Sequence, residues 1–374
     1  MLKSFFCSKQ WMLWAWGGLF LLCASIALEV RILVWLNGWY REMWDFLQNP
    51  DPDIAAALPQ ADTVWDAELT EKASSGINNF WRLLGQFSLI VFPFIILRAF
   101  SGFFAQHYSF RWRQAITYAY LPLWSKAEQE IEGASQRLQQ DPERFARIVE
   151  SLGLGVFRSV LTLIAFVPIL WGVSNEIMER FQASVALSTA PFALPFFEWT
   201  ATTPASLVIV ALVLALGGTA LSFLVGIKLP GLEYNNQRVE ARFRKRLVYS
   251  EDNKIYADLP SLAELFTGLR FNYFRLYLHY SYFALWAGLF GQFLVIADLI
   301  LIGTGVVLGI ITFGFLNQIA HAFTKVADSL TYFVDNWTTV TELLSVIKRL
   351  REFERNIGYN DKPLGKIESP QPIQ

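Results

Sequence analysis

The sequence predicts an all-α integral membrane protein with about six long transmembrane helices. Two features of its composition indicate this fold class: 54% of the 374 residues are hydrophobic and only 17% are charged, whereas soluble domains carry about 25% charged residues. In addition, apolar runs recur along the chain, each near the ~20 residues that a helix needs to cross the hydrocarbon core. A transmembrane barrel would instead show alternating segments of about 10 residues.

Six apolar runs are long enough to be transmembrane helices, because lipid offers the backbone no hydrogen-bond partners and a helix satisfies its own. The last two runs are separated only by a short link near Gly303 and Gly305, which predicts a tight hairpin there. The predicted spans are 11–35, 80–104, 152–173, 204–227, 282–302 and 306–323.

The first run has an alternative interpretation as a cleavable signal peptide, because Lys3 and Lys9 precede it and small residues follow its apolar part. The apolar pattern continues past Ala27 to Trp35, which is longer than the apolar region of a signal peptide. This length favours a retained transmembrane helix.

Basic residues collect in alternate segments between the predicted spans. Residues 42–79 carry eight acids and one base, and residues 176–203 carry a single base. By contrast, residues 106–151, residues 229–270 and the C-terminal tail are rich in Lys and Arg. Because basic segments are retained in the cytoplasm, both termini and these two long polar segments are predicted to be cytoplasmic.

The two long cytoplasmic segments carry helical patterns and few of the Gly, Ser and Pro residues of flexible linkers. We therefore expect the membrane helices to project well beyond the bilayer. Residues 106–151 are called the first extension below, and residues 229–270 the second extension. The sequence predicts one transmembrane domain, residues 1–355, followed by a cytoplasmic tail, residues 356–374.

Three acids of the second extension share one helical face. Glu233, Glu240 and Glu251 fall within about 20° of one another on a helix, with the first and last about 27 Å apart. Arg244 lies on the same face and is placed to neutralise Glu240. Two interpretations stay open: a solvated face with ion pairs inside the helix, or a row of carboxylates lining a water-filled cavity, where enclosure favours proton uptake near neutral pH.

Glu29 is unusual because it falls inside the first predicted span. An acid at membrane depth costs several kcal/mol unless it is paired or faces water, so it is a functional candidate. Arg31 is too close in sequence to share its face, so we expect a partner from another helix. The alternative interpretation is that the helix is tilted and that Glu29 lies near the membrane–water interface.

Glu132 and Glu150 on the first extension are eighteen residues apart, like Glu233 and Glu251. Gly133 and Pro142 lie between them, so their helical phase does not follow from spacing alone.

The sequence contains no signature of an enzyme. It lacks the G-x-x-x-x-G-K-[ST] loop that binds nucleotide phosphates, the nucleophile elbow and the H-E-x-x-H motif. Its three histidines and two cysteines lack metal-ligand spacing, and a net charge of -1 gives no general attraction to nucleic acid. We therefore expect no catalytic activity, no cofactor and no nucleic-acid partner.

Six longer segments carry a recognisable pattern: HYSFRWR (107–113), IEGASQRLQ (131–139), LTLIAFVPIL (161–170), GIKLPGLEYNNQRVEARFRKRLVY (226–249), NYFRLYLHYSYF (272–283) and NWTTVTELLSVIKRLREFE (336–354). Together they resemble the SbmA/BacA family of bacterial inner-membrane peptide transporters. The likeness covers most of residues 80–354 and does not depend on any single short motif.

The resemblance implies a homodimer whose membrane helices are arranged like those of an ABC exporter without ATPase domains. It implies import of peptides, including antimicrobial peptides, across the bacterial inner membrane, driven by the proton gradient. Two alternatives are an ABC-type membrane subunit that works with a separate ATPase, and a receptor or scaffold that only binds peptides. By local motif, the resemblance places the proton-coupling acids of the cavity at Glu132, Glu150, Glu233, Glu240 and Glu251, with Glu29 as a further member.

Overall fold

The computed structural model describes residues 1–49, 67–127, 134–183, 195–252 and 254–359. In these ranges every regular element is a helix, which confirms the predicted fold class. A short 3₁₀ helix, Lys254–Tyr256, joins the seventh and eighth α-helices. The α-helices are α1 (Leu2–Phe6), α2 (Met12–Gln48), α3 (Ala67–Trp124), α4 (Ala134–Ala183), α5 (Pro195–Thr202), α6 (Ser206–Gly226), α7 (Leu229–Asp252), α8 (Leu259–Val307), α9 (Phe313–Asp335) and α10 (Trp337–Asn356).

Five helical runs in the described ranges are long and apolar enough to cross a membrane: α2, α3, α4, the continuous pair α6–α7, and α8. The longest, α3 and α4, have 58 and 50 residues. At a rise of about 1.5 Å per residue they measure about 87 and 75 Å, against ~30 Å for the hydrocarbon core. The helices therefore extend well beyond a bilayer, as the sequence predicts.

The sixth predicted span is displaced along the chain. The hairpin was expected at Gly303 and Gly305, but α8 continues through both glycines and α9 begins only at Phe313. The actual turn contains Gly309, whose φ of +71° lies in the left-handed region that glycine adopts without steric cost. Gly305 serves close packing instead, because a Cβ there would meet the ring of Phe197. The predicted position of this hairpin is therefore wrong.

Helix α9 lies inside the bundle and packs against α2, α4, α6 and α8. It is strongly amphipathic, with an apolar face in the core and polar residues on the opposite face, so it is less apolar than the other spans. The buried apolar residues of α9 are Phe315, Leu316, Ile319, Ala322, Phe323, Val326 and Ala327.

Two hydrophobic clusters hold the described helices together. The first joins α4, α5, α6, α8 and α9 around side chains such as Phe166, Phe197 and Phe315. The second joins α1, α2, α3, α4 and α10 around Phe5 and Trp112, whose rings stack 5.5 Å apart. Helix α7 belongs to neither cluster and packs mainly against α8, so the second extension forms a hairpin of its own.

Close packing between α6 and α8 predicts opposite effects for two neighbouring glycines. Gly218 is buried, and a Cβ there would meet the ring of Phe290, which itself stacks on Trp286. Gly217 is exposed, with nothing within 4 Å of a Cβ. We expect Gly218→Ala to destabilise the protein by about 1–3 kcal/mol through overpacking. Gly217→Ala should be neutral or stabilising by up to about 1 kcal/mol.

The measurement is SDS-driven unfolding in mixed detergent micelles, followed by tryptophan fluorescence. Equal unfolding midpoints for the two variants would show that α6 and α8 do not pack at Gly218 as described.

Candidate functional site

Glu29 on α2 forms a buried ion pair with Arg158 on α4. Arg158 Nη1 donates a hydrogen bond to Glu29 Oε2 at 2.6 Å; the carboxylate side chain is 0% exposed and the arginine side chain is 41% exposed. The second oxygen, Oε1, has no hydrogen-bond partner in the described part of the chain. The expectation that Glu29 takes a partner from another helix is confirmed. Sequence reasoning did not single out Arg158, although it lies inside a predicted span.

Glu150 lies on α4 two turns before Arg158 and is half-buried. The next residue, Ser151, accepts a hydrogen bond through its carbonyl oxygen from the Tyr332 hydroxyl of α9 at 3.3 Å. Tyr332 also interacts electrostatically with both Glu150 and Arg158. These two charged residues of α4 therefore lie near the same contact with α9. Glu132, the remaining acid predicted on the first extension, lies outside the described residues.

The row on the second extension lies on one regular helix, since α7 is uninterrupted across it. Glu240 Oε2 accepts a hydrogen bond from the Tyr273 hydroxyl of α8 at 3.4 Å. One step along the hairpin, Glu233 lies beside the hydroxyl of Tyr280 of α8. Both acids are half-buried, whereas Glu251 is exposed. The row is thus partly covered by α8.

The glutamates and tyrosines follow the register of an antiparallel helix pair. The two acids are seven residues apart on α7, and their partners Tyr273 and Tyr280 are seven residues apart on α8, in reverse order. Arg244, the predicted neutralising partner of Glu240, forms no ion pair with it in the described ranges. The acids therefore have tyrosine partners on the neighbouring helix.

Within one chain the five described acids form two groups. Glu29 and Glu150 lie where α2 and α4 meet α9, whereas Glu233, Glu240 and Glu251 lie on α7 beside α8. A single chain does not bring the two groups together. Their shared lining of one cavity stays a prediction.

A cluster that the sequence did not single out ties α2, α4 and α9 at one end of the bundle. Arg41 donates to both oxygens of Glu176 at 2.8 and 3.1 Å, and Arg180 donates to the same carboxylate at 2.8 Å. The two guanidinium carbons lie 4.5 and 5.3 Å from the centre of the Phe315 ring, within the range of cation–π attraction. We call this set the Arg41 cluster.

A second cluster fixes the opposite end, where α4 meets α10. Asp141 is 0% exposed and accepts two hydrogen bonds from Arg349 at 2.8 and 3.1 Å. These bonds raise the pKa of the Arg349 guanidinium. The N-terminal ammonium of Met1 pairs with Glu354 at 2.8 Å. The first residue and the end of α10 therefore lie at the same end of the bundle, which we call the Met1 end.

In the ranges that the structure describes, no three His, Cys, Asp or Glu side chains are close enough to hold a metal ion. The carboxylates of the two groups of acids can accept hydrogen bonds, pair with positive charges and exchange protons.

Comparison with known proteins gives a family match over nearly the whole chain. The model of the SbmA/BacA-like family matches residues 8–358, which extends the likeness upstream of the motifs noted above.

Curated relatives are more distant. The chain is 23% identical over 354 residues, 90% of its length and 56% of the relative's, to the inner membrane ABC transporter ATP-binding protein YddA of Escherichia coli K12. It is 22% identical to an uncharacterized ABC transporter ATP-binding protein of Synechocystis, over 78% of the chain and 42% of that protein. It is 23% identical to ABC transporter D family member 2, chloroplastic, of Arabidopsis thaliana, over 72% of the chain and 36% of that protein. The chain spans about half or less of the length of these relatives.

Proposed function

Because the chain belongs to the SbmA/BacA-like family and is a membrane transporter, we propose that it imports peptides across the bacterial inner membrane, driven by the proton gradient. The Met1 end is cytoplasmic in this proposal, in agreement with the basic segments of the sequence. Antimicrobial peptides are among the substrates that the family likeness suggests.

The observation that carries the proposal is the Glu29–Arg158 pair. A carboxylate that is 0% exposed and has one oxygen without a hydrogen-bond partner among the described residues has Arg158 as its charged partner. Proton uptake would neutralise Glu29 and weaken the attraction between α2 and α4. Protonation therefore stabilises one arrangement of these helices over another, which is the requirement for coupling a proton to a conformational change.

The row of acids on α7 binds and releases the peptide during transport in this proposal. Ionised Glu233 and Glu240 attract cationic peptides, and neutralisation of these acids releases them. The tyrosine hydroxyls of α8 lie beside the two carboxylates along the hairpin. Because charge and a wide path discriminate weakly between peptides, we expect a broad substrate range.

A homodimer is the second part of the proposal. Helix α7 packs mainly against α8 of its own chain, and the hairpin that it forms with the first half of α8 presents large apolar side chains. Ile255 is 82%, Leu259 78%, Phe271 67% and Phe274 68% exposed. Large apolar side chains that stay exposed on a helix mark a protein or lipid interface where they cluster, and a second copy would bring a second row of acids to the same assembly.

The test is peptide uptake into sealed vesicles under an imposed pH difference. We expect Glu233→Gln and Glu240→Gln to reduce uptake of a labelled cationic peptide at least tenfold, because each removes a protonatable group. Glu264→Gln is the matched control, since Glu264 is an exposed acid of α8 on the same hairpin. Equal uptake by the parent and the three variants would remove the row from the mechanism.

An ABC-type membrane subunit that works with a separate ATPase is a second candidate. It is favoured by the curated relatives, whose names include ATP-binding proteins and whose length this chain only partly covers. Collapse of the proton gradient with ATP preserved separates the two candidates: uptake stops under the proton-driven proposal and persists with an ATPase. A receptor or scaffold would give no accumulation in sealed vesicles under either condition.

A further inference from the structure

Helix α9 carries a continuous polar stripe on the face that points away from the core. Its members are half-buried or exposed, in contrast to the fully buried apolar residues on the other face. On a helix they fall within about 120° of arc, and the first and last are about 27 Å apart, close to the thickness of the hydrocarbon core. The stripe consists of Asn317, Thr324, Lys325, Asp328, Thr331 and Asp335.

The stripe lies at membrane depth because α9 packs along spanning helices. It packs on α2, α4, α6 and α8, and its first turn belongs to the Arg41 cluster while Tyr332 lies beside Ser151 near the other end. A helix of 23 residues in this position crosses most of the membrane. Polar residues along it therefore have three possible neighbours: lipid, another protein surface, or water.

Lipid and protein are both poor neighbours for these charges. Lys325 and Asp328 attract each other, but no ion pair within 4 Å engages either of them in the described part of the chain. Charges without a close partner are strongly unfavourable against hydrocarbon. Burial in a protein interface would remove water from Lys325, Asp328 and Asp335 together, which is unfavourable without well-formed partners. Water is the neighbour that the charges allow.

A second helix presents charge on the same side. The Arg158 side chain is 41% exposed although it pairs with the buried Glu29, and both Arg158 and Glu150 interact with Tyr332 next to the stripe. The exposed part of a guanidinium at membrane depth also requires water. Charged surface on α4 thus continues the polar stripe of α9.

We propose that the polar stripe of α9, together with Arg158 and Glu150 of α4, forms the wall of a water-filled path through the protein along which the peptide moves. The stripe carries both signs of charge and side-chain amide and hydroxyl groups, so it can hydrogen-bond a peptide backbone of any sequence. Only the identity of the cargo rests on the proposed function; the presence of water along the stripe is independent of it.

Cysteine labelling tests whether water reaches the polar stripe. In a background with Cys7 and Cys23 replaced by Ser, single variants Thr324→Cys and Asp328→Cys are exposed in sealed vesicles of both orientations to a charged, membrane-impermeant methanethiosulfonate reagent. Thiols react as thiolates, which form in water and not in lipid. We expect both to react at least tenfold faster than Leu289→Cys, a 61% exposed apolar position on α8, or Ala322→Cys, a fully buried position on α9.

Two results would overturn the proposal. Reaction of both stripe variants no faster than Leu289→Cys would place the stripe against lipid. Slow reaction together with ready oxidation of Thr324→Cys to a cross-linked dimer would place it in an interface between two copies.

The cargo is tested separately with charge variants. We expect Asp328→Asn to slow uptake of a cationic peptide at least threefold relative to a neutral one, and Lys325→Gln to change the ratio in the opposite direction. Fast labelling with no change in this ratio would keep the water-filled path and refute the peptide as the species that contacts it.

Discussion

We expect Arg158→Ala to destabilise the protein by about 3–5 kcal/mol, because it leaves the Glu29 carboxylate fully buried and without a charged partner. The Arg158 hydrogen bond at 2.6 Å is the only one that the described residues give this carboxylate. SDS-driven unfolding in mixed micelles measures the effect.

Substitution of the other member of the ion pair provides the control. Glu29→Gln leaves an arginine whose side chain is 41% exposed and can reach water, so it should cost much less than Arg158→Ala. Glu29→Gln combined with Arg158→Gln should recover most of the stability, because replacing both members of a buried pair is often nearly neutral. If Arg158→Ala and Glu29→Gln unfold at the same SDS fraction, the pair does not hold α2 to α4.

The partner of Glu29 marks a limit of sequence reasoning. That a carboxylate inside an apolar run needs a partner follows from the low dielectric of the membrane alone. Which residue supplies it depends on how α2 and α4 pack, and no local pattern encodes that. A usable signal did exist, because Arg158 is itself a charge inside a predicted span and unlike charges at membrane depth tend to pair.

The length of an apolar run predicted the position of the last span wrongly, and helix α9 shows the reason. Apolar length identifies helices that face lipid, whereas a helix that packs only one side against other helices needs only one apolar face. The predicted span 306–323 combined the end of α8 with the first half of α9, and the polar stripe beyond Phe323 was left out. The alternation of apolar and polar residues at helical spacing, continuing to Asp335, was the signal that would have placed it.

Some features of the row of acids follow from local sequence, and others depend on how helices pack. The shared face of Glu233, Glu240 and Glu251 depends only on helical geometry, and α7 gives it a regular helix. The tyrosine partners depend on the pairing of α7 with α8, which follows from a short connection between adjacent antiparallel helices. Whether this row and the Glu29 group face one cavity depends on how the chain packs in the proposed homodimer, because their contact is not local in the sequence.

Asp141→Ala should destabilise the Met1 end by about 3 kcal/mol. Asp141 is 0% exposed and accepts two charge-assisted hydrogen bonds from Arg349, each stronger than a neutral one. Arg137 lies 3.6 Å from the same carboxylate. Removal of the Asp141 carboxylate leaves the guanidinium groups of Arg137 and Arg349 without their shared partner between α4 and α10. Because their side chains are 23% and 30% exposed, they can turn partly toward water, which places the expected loss at the lower end of the range for broken buried pairs.

Glu143→Ala is the matched control for Asp141→Ala. Glu143 is an acid on the same helix, two residues away, and it pairs with Arg147 at 3.7 Å across an exposed surface. Exposed pairs of this kind contribute about 0.5 kcal/mol or less. Unfolding that begins at the Met1 end should also expose Trp112, which is buried in the cluster beneath α10. The tryptophan fluorescence of the protein should therefore begin to change at a lower SDS fraction in Asp141→Ala than in Glu143→Ala. Coincident transitions in the two variants would mean that the contact between Asp141 and Arg349 does not hold α10 on the bundle.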